Sequence, residues 1–168
     1  AVSGVMVVAK TEESFQNLRQ QFHDRTVGKE YRAIVHGVPA QEHFVLRFRI
    51  AHSAQHGGKM AARPEHAEGK DAWTECDVLE TYHRRYALLA IHIRTGRTHQ
   101  IRAHCAAMDH PIVGDRRYKS KRYHSDRHGT RLFLHSYQLT CAHPTTGKLM
   151  SWISAMPVVF TELFHTPR

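Results

Sequence analysis

The residues best suited to chemistry fall in one stretch: Thr95-Gly96-Arg97-Thr98-His99-Gln100-Ile101-Arg102, then His104, His110-Pro111-Ile112 and Gly114-Asp115. Gly96 suits a tight turn from a strand into a helix. Arg97 would then stand at the N-terminal edge of that helix, where a planar guanidinium can hold a carboxylate through two parallel hydrogen bonds. His99, Gln100, Arg102 and His104 offer donors and charge to a phosphate backbone. Other chemistries drop out. The chain has no GxxxxGK[ST] loop, no GxGxxG and no CxxC pair. His99 and His104 lie five apart, about 140° around a helix. That is poor chelating geometry, so no metal is expected. A capped basic helix without a ligand would account for residues 95–102, but would leave the run at 110–115 without a reason.

The charge around this stretch is one-sided. The 168 residues carry 24 Lys+Arg against 15 Asp+Glu, a net +9. Residues 1–84 hold 11 of each sign, whereas residues 85–168 hold 13 basic and 4 acidic. The excess is concentrated in residues 84–131. Such a field points to a polyanion, nucleic acid before others. Arg116, Arg117, Lys119, Lys121 and Arg122 form its densest run. Three cysteines, odd in number and far apart, argue against a disulfide framework and for a reducing, intracellular compartment. No apolar run approaches the roughly 18 residues of a membrane span, so no membrane partner is expected.

The elements that must position these residues can be read from periodicity. Residues 5–9 (VMVVA) predict a short buried strand. Thr11 offers an N-cap, and Phe15, Leu18 and Phe22 predict an amphipathic helix over 12–23. Tyr31, Ala33 and Val35 alternate with Arg32 and Ile34 as a strand, and Phe44, Leu46, Phe48 and Ile50 mark another. Residues 51–71 lack periodicity and read as a long loop. Residues 73–82 and 86–93 predict a hairpin through His83-Arg84-Arg85. Residues 98–108 predict a second helix, 116–131 a basic loop, and 132–140 and 150–155 two last strands. The expected fold class is α+β: one domain over 1–168, a largely antiparallel mixed sheet with two helices and a basic cleft.

Taken in order, these motifs resemble the RluA-type family of RNA pseudouridine synthases. The resemblance rests on TGRTHQIR followed by HPI and GD. It is extended by Lys29-Glu30-Tyr31, which matches a K-x-Y strand, by residues 69–74, by Leu132-Phe133-Leu134-His135-Ser136, and by His143-Pro144 through Met156-Pro157. It covers nearly the whole chain. It implies an enzyme that breaks the uridine C1′–N1 bond, turns the uracil and rejoins C1′ to C5, without metal or organic cofactor. By motif match, Tyr31 would pack on the base and help remove the C5 proton, and Arg97 would pair with a catalytic Asp. The implied partner is structured RNA, ribosomal or transfer, free or within a ribosomal or pre-ribosomal particle. The basic, His-rich character fits the cytoplasm, the nucleolus or an organelle with its own ribosomes, such as the mitochondrion.

That family's Asp lies in H-R-L-D-x-x-T-S-G. Ser3-Gly4 match its end, Val2 stands at the Thr, and the Asp position counts back to two residues before Ala1. The expectation is therefore a catalytic domain whose first part lies outside this chain. That part, or a partner, would cover the sheet edge beside residues 5–9. An RluA-like paralogue that binds RNA as a scaffold or ribosome-assembly factor, without modifying it, is the alternative.

Overall fold

The computed structural model describes residues 2–53, 58–123 and 131–165. Helix α1, Glu12–His23, starts where the sequence predicts: Thr11 Oγ1 accepts a hydrogen bond from the Ser14 amide at 3.2 Å, and Glu12 and Glu13 face the positive helix end. Its Leu18 packs with Val27, Leu139 and Cys141. Gln21 ties it to the sheet in both directions, donating to the Ala142 carbonyl and accepting from its amide, each at 2.9 Å.

The strands are β1 Ser3–Gly4, β2 Gly28–His36, β3 His43–His52, β4 Met60–Arg63, β5 Lys70–Tyr82, β6 Tyr86–Ile93, β7 Leu134–Ala142 and β8 Leu149–Ile153. They form one open sheet in the order β1-β7-β2-β6-β5-β3-β4, with β8 also on β7. The β1–β7 pair is parallel and the rest are antiparallel. Residues 86–91 of β6 are buried without alternation, which is what a strand covered on both faces shows. Against this centre pack Ile101 and Cys105 of α2 (Gln100–Ala107) and Phe160 of α3 (Val158–His165). The fold is thus the mixed α+β sheet that the periodicity predicts.

Four expectations need correction. Residues 5–9 are not a buried strand: Val5, Val7 and Ala9 touch the α1 cluster, while Met6 and Val8 are exposed. Val5 still donates to the Ser136 carbonyl at 2.9 Å, but the edge of β7 from Gln138 onward is paired with β8, which closes it to residues 6–9. The 51–71 loop contains β4, which pairs with residues 49–52 through backbone bonds and has no β-branched side chain to announce it; residues 54–57 lie outside the described residues. A third helix, α3, was not expected; Val159, Phe160 and Leu163 carried its spacing. Within the 116–131 loop, residues 121–123 form a 3-10 turn, and 124–130 lie outside the described residues.

Candidate active site

Two irregularities shape a cleft at one end of β2. On β7, Tyr137 is an extra residue: Glu30 pairs with Gln138 and Tyr31 with Ser136. This bulge twists the ladder locally beside Tyr31. Gly114 takes φ +75°, and a Cβ there would lie 1.7 Å from the Arg131 carbonyl oxygen, so only glycine lets the 112–115 segment turn against residue 131. The resulting cavity, about 530 Å³, has Tyr31, Arg97, His99, Arg116 and Val2 among its lining residues. That volume falls within the range of about 300–1,000 Å³ usual for small-ligand sites.

The turn that presents Arg97 is held from beneath by Gln100. Its Oε1 accepts from the Thr95 hydroxyl at 2.8 Å and from the Arg97 amide at 3.0 Å. Its Nε2 donates to the Trp73 carbonyl and to Thr74 Oγ1, each at 3.0 Å. Thr95 Oγ1 in turn accepts from the Trp73 amide at 2.9 Å. The residue in the left-handed region is His99, at φ 55°, and not Gly96. Gly96 lines the cleft, and a Cβ there would meet nothing within 4 Å. The tight turn expected of Gly96 therefore belongs to His99, and Gly96 leaves open space.

Arg97 donates from Nε to the Asp71 carbonyl at 3.0 Å. Among the described residues its guanidinium has no carboxylate partner. Asp115, the one carboxylate among the described lining residues, is not available to it. Arg102 holds both Asp115 oxygens at 2.7 Å, and the Arg117 and Tyr118 amides donate to Oδ1 at 2.9 and 3.0 Å. Burial alone would raise the Asp115 pKa. The Arg102 fork and the two amides outweigh it and hold the carboxyl below its usual range. Asp115 closes the HPI and GD run of the sequence, and in the structure it is the clamp on Arg102.

Tyr31 is half-buried. Burial raises its pKa against the opposing hydrogen bond from Ser136, so the resting side chain is a neutral phenol. His99 bonds through Nδ1 to the Tyr118 hydroxyl at 3.1 Å, and that hydroxyl accepts from the Met60 amide at 2.9 Å. Burial and the nearby Arg102 and Arg117 lower the His99 pKa, which keeps the imidazole neutral.

RNA contact does not fit three of the predicted residues, the first being Arg102 with its fork on Asp115. Gln100 is 3% exposed with its amide fully used, and His104 is wholly buried against Phe48. Burial lowers His104 to a pKa of about 4. Arg116, Arg117 and Lys119 are exposed; Arg116 lines the cleft, and Arg117 donates to the Gly58 carbonyl at 2.9 Å. The Lys121 side chain lies outside the described residues. Arg122 pairs with Asp109 at 3.4 Å and lines a different cavity. Among the described residues no cluster of His, Cys, Asp or Glu could hold a metal. No helix there is long and apolar enough to cross a membrane. The cysteines are free and buried, and burial pushes the Cys105 thiol up to about 12.

A mixed sheet that presents Arg97, without a carboxylate partner among the described residues, beside a neutral Tyr31 in one cleft defines a class: an α+β protein with a cleft of small-ligand size. Comparison with known proteins narrows it. The sequence profile of the RNA pseudouridylate synthase family matches residues 1–107. Ribosomal large subunit pseudouridine synthase D of Haemophilus influenzae is 35% identical over 173 residues, covering 97% of this chain and 52% of its own length. An uncharacterized RNA pseudouridine synthase of Mycobacterium bovis is 38% identical over 156 residues, covering 92% and 49%. The solved structure of Human RNA Pseudouridylate Synthase Domain Containing 1 superposes with a TM-score of 0.76 at 27% identity, covering 88% of this chain and 62% of that one. The chain belongs to the RNA pseudouridylate synthase family, and within it to the RluA type. It spans about half the length of the curated relatives it matches.

Proposed function

We propose that this chain carries the base- and phosphate-holding part of an RNA pseudouridine synthase that isomerises uridine in structured RNA, ribosomal RNA first. The observation that carries the reading is Arg97, a guanidinium in the cleft without a carboxylate partner among the described residues. The family pattern puts its Asp three positions before Val2, and Val2 lines the same cleft as Arg97 and Tyr31. Arg97 orients that carboxylate at the sugar C1′, and the Tyr31 ring packs on the uracil. A neutral phenol suits packing better than it suits a resting base at C5. The target nucleotide leaves its stack to enter, which costs a few kcal/mol and calls for compensating phosphate contacts. His99, Arg116, Arg117, Lys119, Lys121 and Arg122 remain the residues proposed for that phosphate field, and Arg102, held on Asp115, positions the segment that carries them. Ribosomal RNA is favoured because the Haemophilus relative is named for the large ribosomal subunit.

The test is Arg97→Lys in the protein that carries the Asp, read by single-turnover pseudouridine formation and by RNA affinity. Lysine keeps the charge but loses the planar fork. The expected result is a rate reduced about 100-fold or more, with affinity almost unchanged. Wild-type turnover in Arg97→Lys removes Arg97 from the mechanism. RNA bound tightly without any pseudouridine formed, by the wild-type protein itself, would favour the scaffold alternative.

A further inference from the structure

A second cationic cavity, about 770 Å³, opens at the opposite end of β2 from the cleft. Arg84, Arg85, Arg122, His36, His110 and Tyr123 line it, and no acidic residue does among those described. Arg122 is partly engaged by Asp109 at 3.4 Å, and Arg85 lies over the Tyr86 ring at 5.4 Å. Arg84 is exposed, with no side-chain partner among the described residues.

The hairpin that carries these arginines is built against local preference. Within the three-residue loop, His83 and Arg84 are the centre of a turn closed by the Arg85 amide on the Tyr82 carbonyl at 2.8 Å, and they take φ of +43° and +55°, a region that Gly and Asn favour. The turn is anchored nonetheless: the Gly37 amide donates to the Arg85 carbonyl at 2.6 Å. Gly37 has φ +71°, and a Cβ on it would come within 2.8 Å of the Tyr123 hydroxyl, so glycine admits Tyr123 to the cavity. Tyr123 stacks on His36 with ring centres 4.8 Å apart and planes at 14°. The result is a floor of stacked rings with guanidinium walls.

Resting on the RNA reading above, we propose that this cavity binds backbone phosphates of the same RNA, away from the nucleotide held in the cleft. Arginine forks match phosphate oxygens, and a cavity without acidic lining suits an anion. Tyr31 and His36 are five residues apart on β2, about 17 Å at strand spacing. An odd separation also turns the two side chains to opposite faces of the strand, so an RNA must pass round this end of the sheet, a path of at least about five nucleotide steps at about 3.4 Å each. An RNA confined to the cleft therefore does not reach this cavity, and a longer one does.

The experiment measures affinity against salt concentration for two probes, a uridine trinucleotide and a hairpin RNA of about twenty nucleotides. In the Arg84→Gln/Arg85→Gln variant the hairpin should bind about tenfold more weakly, with a salt slope shallower by about 1.4–1.8, and the trinucleotide should bind as before. Arg84→Gly gives a second arm: glycine accepts the left-handed turn without strain, so folding is kept while one charge is lost, and the slope should fall by about 0.7–0.9. An unchanged hairpin slope, or an equal loss on both probes, overturns the proposal. So does binding of inorganic pyrophosphate, at fixed ionic strength, that depends on Arg84 and Arg85 while hairpin binding does not; that would mark a site for a free diphosphate. Failure of the wild-type chain to bind either RNA refutes the RNA reading itself. None of these readouts requires turnover.

Discussion

The turn and helix of residues 95–107 carry two populations of polar side chains that the sequence does not distinguish. Gln100, Arg102 and His104 point inward or are fully committed: Gln100 to four partners, Arg102 to Asp115, His104 to the Phe48 ring. Gln100 and Arg102 border the same cleft as Arg97 and His99, but Arg97 and His99 have a single side-chain hydrogen bond each, to the Asp71 carbonyl and the Tyr118 hydroxyl. The difference teaches that a motif rich in polar residues divides its labour. One part fixes the backbone so that the other part meets a ligand already oriented, which is where preorganisation gains its catalytic value. Changes in the first population should register in stability, and changes in the second in binding or turnover.

The sharpest way to break this comparison is Gln100→Leu. The substitution leaves the Trp73 carbonyl, the Arg97 amide and the Thr95 and Thr74 hydroxyls without their partner in a buried site. Unsatisfied buried groups cost about 1–3 kcal/mol each before relaxation. A net loss of about 3 kcal/mol is expected, read as a lower urea midpoint at unchanged slope. An unaltered midpoint would mean that Gln100 is not the support of the turn.

His104 gives a smaller, pH-dependent effect. The folded protein keeps it neutral with a pKa of about 4, below its ordinary 6.5. Between those values the unfolded chain binds more protons, so stability falls as pH drops through that window and is retained above 6.5. The expected loss by pH 5 is about 2 kcal/mol. His99 is lowered too and acts with the same sign, whereas His43 is raised by its bond to Asp77 and acts oppositely. The discriminating quantity is therefore the slope of stability against pH in His104→Leu, which should be shallower than that of the wild type over pH 5–6.5.

Much of this molecule was legible where local chemistry and tertiary outcome agree. The Thr11 cap, the β5–β6 hairpin and the α+β class follow from capping, alternation and turn position, and the ordered motifs brought Tyr31 and Arg97 to one cleft. What escaped was decided by partners distant in the chain. Residues 5–9 have the composition of a strand, but β8 already occupies the edge they would need. β4 is specified by backbone bonds to β3, which leave no side-chain pattern. Gln100 and His104 look like ligands in sequence because polarity says nothing about which way a helix faces. Only the Trp73–Thr74 segment of β5 and Phe48 of β3 reveal that they face inward.

The finest test of the division between committed and free groups matches charge for charge. Arg47 lies over the Trp73 ring at 4.0 Å, and Arg49 donates to the Glu65 and Gly69 carbonyls and faces Asp71 at 3.3 Å. Arg116 and Lys119 are exposed, with Arg116 on the cleft wall. Arg47→Gln/Arg49→Gln and Arg116→Gln/Lys119→Gln each remove two positive charges, so a mere net-charge effect would treat them alike. Counterion release depends instead on which cations meet phosphate. The Arg116/Lys119 pair should lower the slope of log affinity against log salt by about 1.4–1.8. The Arg47/Arg49 pair should change it by well under half of that, since those guanidiniums would have to leave existing partners to reach an RNA. Fluorescence anisotropy titrations of one labelled hairpin RNA over a salt series compare the two directly. Equal slopes would show that the RNA senses only the overall field, and that the cleft does not select the charges it uses.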